Sequence, residues 1–287
     1  MAARQQRQAT HPQPNRAHAH VHVNSARNIL QAMLLSGLFM YLLSGCSLLP
    51  TTATSSRSIN TSQQPHQQRI YVALGASDTF GFGASDPYNE NWAADLAAKL
   101  GPRYHLINLG IPSIHVHDAL TAELPVALDA HPNLVTIWLA VNDLADQVPV
   151  KSYAHDLDLL LSRLQANNPQ VRIAVANVPD LALLPHFSKQ VAAEPQALRQ
   201  QILAYNTAIA SIVHQHNGRV SGRGAEGVSG RGGAVAPTIL VDLSQQSYDL
   251  QHHPEYISED GLHPTALGYA RLADLFYETL QLSQNNG

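Results

Sequence analysis

Residues 69–83 read RIYVALGASDTFGFG. The first six, Arg69 to Leu74, are mostly β-branched, aromatic or aliphatic, the composition of a strand buried on both faces. That strand stops on Gly75. A serine and an aspartate, Ser77 and Asp78, come next, followed by two more glycines, Gly81 and Gly83. A plain reverse turn needs fewer glycines. A chain that leaves a buried strand in this way presents the Ser77 hydroxyl at the sheet edge with its own N–H free. The glycines then allow the close approach a reacting substrate requires.

Working outward, strands and helices alternate. Strand-like runs occupy 69–74, 103–109, 133–140, 171–177 and 238–242, and helical patterns occupy 89–100, 114–129, 151–167, 195–216 and 264–281. Apolar strands separated by amphipathic helices predict a parallel sheet covered on both faces. The expected fold is α/β, a three-layer α/β/α sandwich with a doubly wound, flavodoxin-like parallel sheet of about five strands. One stretch breaks the pattern: 217–236, NGRVSGRGAEGVSGRGGAVA, is glycine-rich and carries three arginines. It reads as an insertion, either a surface loop or a lid over substrate.

The chain has 287 residues, 45% of them apolar, and a net charge of −4. Residues 1–45 hold Arg4, Arg7, Arg16 and Arg27 and no acidic residue, so the body of the protein is more acidic than the total implies. That argues against nucleic acid as a partner, because phosphate contacts need clustered Lys and Arg. The single cysteine, Cys46, rules out an intrachain disulfide and a cysteine-rich metal site. It follows an apolar run, ILQAMLLSGLFMYLL at 29–43, which is shorter than the roughly 20 residues of a membrane span. With its basic flank, the run reads as a secretory signal. Leu43-Ser44-Gly45-Cys46 resembles a bacterial lipobox, whose cysteine is lipidated and becomes the new N-terminus. The expected organisation is a signal peptide with an extended N-terminal region over 1–45, a lipid-anchored flexible linker over 46–68 and the folded domain over 69–287. This implies an extracytoplasmic protein anchored to a membrane by lipid on Cys46.

In a doubly wound sheet, ligands bind at the carboxyl ends of the strands. Four groups fall there. Ser77 follows the first strand as a candidate nucleophile, although a phosphate-binding loop is a rival reading of the same turn. Gly110 follows the second and offers either an N–H to a developing oxyanion or a simple turn. Asn142 follows the third, as an amide donor or a turn residue. Asp260 and His263, three apart across Gly261, form the fourth group. The carboxylate can fix the imidazole tautomer and leave the other nitrogen to take a proton from a serine. Pro264 fits the first turn of the helix that follows.

In their order and positions these residues resemble the SGNH (GDSL-type) hydrolases. The resemblance spans residues 70–280. It implies an ester hydrolase with Ser77, Asp260 and His263 as catalytic residues and an oxyanion hole made by Ser77, Gly110 and Asn142. It implies no metal and no organic cofactor. The family's Gly-Asp-Ser is Gly75-Ala76-Ser77 here, and its Gly-x-Asn-Asp is Ala140-Val141-Asn142-Asp143. Neither change removes a proton-transfer or oxyanion group. The expected substrate is a small-molecule, glycan or lipid ester, with lipase-like and deacetylase-like activities both open. A non-catalytic surface lipoprotein that binds glycan or lipid on the same fold is the alternative. Two histidine pairs stand apart: His115 and His117 as rim residues or substrate contacts, and His252 and His253 as surface residues or half of a metal site.

Overall fold

The computed structural model describes residues 68–190, 195–222, 235–244 and 248–285. The expected signal peptide, Cys46, nearly all of the expected linker and the centre of the glycine-rich stretch lie outside the described residues. Five strands form one sheet: β1 (Arg69–Gly75), β2 (Tyr104–Asn108), β3 (Leu134–Trp138), β4 (Arg172–Ala176) and β5 (Thr238–Val241). Every pairing is parallel, in the order β2-β1-β3-β4-β5. The order reverses between β1 and β3, so the crevice at the switch point lies beyond the ends of these two strands.

Burial explains why the strands read so clearly. β3 is buried along its whole length, and β1 and β4 are buried beyond their first residues. β2, at an edge, is only half buried. On one face, α2 (Trp92–Leu100) packs against α9 (Ala266–Asn285), where Trp92 stacks on Phe276 with ring centroids 4.4 Å apart. On the other lie α3 (Val116–Ala122), α4 (Leu124–Asp129), α6 (Val150–Asn167) and α8 (Pro195–Gly222). The short α1 (Ser77–Phe80), α5 (Val141–Ala145) and α7 (Pro185–Gln190) sit in the loops after β1, β3 and β4.

Three expectations are corrected. The single helix expected over 114–129 is two, α3 and α4, because Pro125 has no N–H to continue the ladder. Pro264 does not open the last helix: it forms an isolated bridge with Ile257, and α9 begins at Ala266. Thr265 precedes that helix, with its Oγ1 accepting from Gly268 N–H at 3.3 Å. The fourth long helix runs past 216 to Gly222, into the glycine-rich stretch. Asn217 there clasps the start of β5, donating to Thr238 O and accepting from Thr238 N–H, each at 2.8 Å.

Glu123, at the junction of α3 and α4, is 1% exposed. One carboxyl oxygen accepts the Gly75 N–H at 3.1 Å, at the end of β1, and the other has no partner among the described residues. Burial pushes this acid up to about 8, only partly offset by the Gly75 N–H. The folded protein therefore holds Glu123 neutral at a pH where the unfolded chain ionises it. Its contribution to stability is complete below about pH 4.5 and is lost as pH rises toward about 8. Glu123→Gln keeps an acceptor for Gly75 and cannot ionise. Denaturant unfolding from pH 4.5 to 8 is expected to show a shallower decline in the variant than in the native protein, by a few kcal/mol across the range; parallel curves would contradict a neutral buried Glu123.

Candidate active site

The site begins where β1 ends. Ala76 lies between strand and helix, and α1 starts on Ser77, whose N–H has no acceptor among the described residues. The Ser77 carbonyl accepts from Gly81 and Phe82 N–H at 2.9 and 3.0 Å, closing the turn. The glycines have a different purpose from the one expected. Thr79 Oγ1 fills the place a Cβ on Gly75 would take. Gly83, at φ +90°, lies against the other half of the site, where an added Cβ would meet the Pro264 carbonyl and, at 3.0 Å, His263 Cβ. They make room for the protein's own backbone and side chains rather than for substrate.

That packing brings together groups 186 residues apart: His263 Nε2 lies 2.9 Å from Ser77 Oγ. On its other side His263 Nδ1 is 2.6 Å from Asp260 Oδ2. Asp260 is fixed in turn, since its Oδ1 accepts from Ser258 Oγ and from the N–H groups of Leu262 and His263, at 2.8–2.9 Å. Partial burial acts to raise the Asp260 acid, but these bonds, led by the one from His263, outweigh it and hold the carboxyl well below the usual range. The loop is braced from outside: Gly261, at φ +75°, accepts from His186 N–H at 3.0 Å, and Ser258 N–H donates to His263 O at 2.8 Å. The arrangement can take a proton from a serine hydroxyl and stabilise the resulting imidazolium.

Gly110 and Asn142 are held beside this turn. A Cβ on Gly110 would collide with the backbone of Phe80 and Thr79, so this glycine lets the loop after β2 lie against α1. Its N–H donates to Asn108 Oδ1 at 2.9 Å, while Asn108 Nδ2 donates to Thr79 O at 2.7 Å. Asn142 lies in the first turn of α5 and gives one amide hydrogen to Ile114 O at 3.0 Å. A primary amide carries a second hydrogen. Asp143 beside it is buried, accepts Val116 N–H at 3.1 Å, and is pushed up to about 6 by that burial. It ties α5 to the start of α3.

The histidine pairs are engaged locally. His115 Nε2 is 2.8 Å from Asp146, and His117 Nδ1 is 3.1 Å from Asp156. His252 pairs with Asp249, and His253 with Glu255, both at 2.8 Å. Among the described residues no three His, Cys, Asp or Glu side chains gather as a metal site. Asn108 and Glu123 were missed from sequence. For Asn108 a signal existed, an asparagine two residues before a glycine at a strand end; for Glu123, in a helical stretch, none did.

Ser77, His263 and Asp260 thus lie in hydrogen-bonded sequence at the switch point of the parallel sheet. The profile of the GDSL-like Lipase/Acylhydrolase family matches residues 73–271, and the chain belongs to that family. It is an ester-bond hydrolase by family. Among solved structures it is similar to a family 3 carbohydrate esterase from Clostridium thermocellum, at 19% identity and TM-score 0.55, over 76% of this chain and 98% of that one. It is also similar to the psychrotrophic esterase EstA from Pseudoalteromonas sp., at 18% identity and TM-score 0.55, over 76% and 100%. The lipase/acylhydrolase from Enterococcus faecalis aligns at 19% identity and TM-score 0.55, over 76% and 97%. At these identities the likeness is one of fold. No curated protein matches the sequence significantly.

Gly110→Ala is expected to push α1 away from the loop after β2 and so displace Ser77. Turnover of a simple ester should fall by at least about 10², because a shift near 1 Å in a reacting group can cost that much. An alanine variant with native turnover would show that the contact with α1 is not needed.

Proposed function

We propose that the protein is a serine esterase in which Ser77 is the nucleophile, His263 the general base and Asp260 the residue that orients it. The observation that carries this reading is the Ser77 Oγ to His263 Nε2 separation of 2.9 Å, with Asp260 2.6 Å behind the imidazole. His263 takes the hydroxyl proton as Ser77 Oγ bonds to the ester carbonyl carbon, and the negative charge moves to the carbonyl oxygen. The Ser77 N–H and the second amide hydrogen of Asn142 stabilise that oxyanion, with the Gly110 N–H as a donor shared with Asn108. Collapse breaks the bond to the alcohol, which leaves with the proton from His263. Water, deprotonated by His263, attacks the acyl-serine and releases the acid and Ser77.

Ser77→Ala should abolish hydrolysis of p-nitrophenyl acetate and butyrate above background. Asn142→Ala should lower turnover by about 10²–10³. Equal rates in the native protein and Ser77→Ala would overturn the nucleophile assignment, and full activity in Asn142→Ala would remove Asn142 from the oxyanion hole.

The same reading has the enzyme work outside the cytoplasm, tethered by a lipid on Cys46, and it rests on the sequence of residues 29–46 alone. Cys46→Ser is expected to move the protein from the membrane fraction to the soluble fraction on cell fractionation. An unchanged distribution would contradict the anchor.

A further inference from the structure

The proposed reaction leaves two polar groups without a task, Asp78 next to Ser77 in the chain and Tyr248 in the loop after β5. A narrow cleft with free room of about 20 Å³ opens among the loops that follow β3, β4 and β5, next to the loop that carries His263. Leu181, Leu184, Leu250 and Leu262 make its walls apolar, yet Asp78 and Tyr248 line it too. Tyr248 is 5% exposed, and its hydroxyl has no hydrogen-bond partner among the described residues. Asp78, in the first turn of α1, accepts from no other residue among those described. Burial pushes its acid up to about 6, against the pull of His263, so at neutral pH it is mainly ionised.

Buried polar atoms in native proteins are nearly always hydrogen bonded. The unpaired Tyr248 hydroxyl, with the half-buried Asp78 carboxylate on the same small cleft, indicates what should enter it. A carboxylate only accepts, whereas a phenol donates and accepts. An aliphatic hydroxyl satisfies both at once, donating to Asp78 and accepting from Tyr248. A saturated acyl chain would cover the leucines and leave both groups stranded in a drier cleft. An ammonium group would pair with Asp78 but offer the phenol hydrogen no acceptor. The free room, about 20 Å³, is that of one small polar group, which favours a short substituent.

We propose that Asp78 and Tyr248 together bind a hydroxyl of the substrate, so that the preferred ester is short and hydroxylated rather than a plain fatty ester. This rests on the serine-esterase reading of the same site. The hydroxyl belongs either to the acyl part, as in a 3-hydroxyacyl ester, or to the alcohol, as in an ester of a diol, glycerol or sugar.

The test compares kcat/KM of the full-length protein on matched esters. Ethyl butyrate is set against ethyl 3-hydroxybutyrate for the acyl side, and against 2-hydroxyethyl butyrate for the alcohol side. At least one hydroxylated ester should be preferred by about tenfold or more, and which one identifies the side. In Tyr248→Phe and in Asp78→Leu that ratio should fall to within about threefold of unity. Because the ratio is taken within each variant, a general loss of activity cancels. Native ratios near unity on both sides, or a preference that survives Tyr248→Phe, would overturn the hydroxyl assignment and leave the esterase standing. Hydrolysis undiminished in Ser77→Ala would instead overturn the reading beneath it.

Discussion

The backbone of Gly83 lies against His263 and Pro264, and the chemistry of the site depends on that contact. It joins the turn after the first strand to the loop before the last helix. Any side chain at Gly83 would have to displace the Pro264 carbonyl or the imidazole-bearing carbon. Neighbouring contacts reinforce the seam: Tyr269, on the last helix, donates its hydroxyl to Phe82 O at 2.6 Å, and the Phe82 ring lies 5.4 Å from the His263 ring. With the seam closed, a serine from one end of the domain and an aspartate-histidine pair from the other reach hydrogen-bonding distance without moving. Preorganisation of this kind lets charge develop in a reaction without reorganising the protein around it.

The rest of the architecture keeps the two sides of the crevice in register. Asn108 couples the Ser77 turn to Gly110, donating to Thr79 O and accepting from Gly110 N–H. Asn142 and Asp143 bind the loop after the second strand and the start of the third helix. Glu123 holds the end of the first strand from below, as a neutral acid in an apolar setting. These polar groups sit among buried apolar residues, where an unsatisfied partner is costly. Together they favour one geometry over its near neighbours.

The fold was legible because its central strands are covered on both faces and so appear as apolar runs: Tyr71–Leu74, Leu134–Trp138 and Ile173–Ala176 are all buried. Ser77, Asp260 and His263 were legible for a related reason, since groups just past strand ends, and a pair three residues apart in one loop, have few places to go. What stayed hidden depends on contacts between distant elements. Glu123 looks like the polar side of an amphipathic helix until Gly75 is placed above it. Tyr248 and Asp78 acquire meaning only when one cleft brings them together. The glycines of the opening stretch were read as space for substrate, but a glycine in sequence does not say what approaches it. Here Thr79, Pro264 and His263 do.

The most direct test of the account is a crystal structure of the protein after reaction with an organophosphorus ester that mimics the tetrahedral intermediate. The account predicts phosphorus bonded to Ser77 Oγ, with one phosphonyl oxygen within hydrogen-bonding distance of both the Ser77 N–H and the Asn142 amide, and His263 facing the leaving-group side. Phosphorus on another residue, or an adduct on Ser77 whose oxygen points away from both donors, would contradict it.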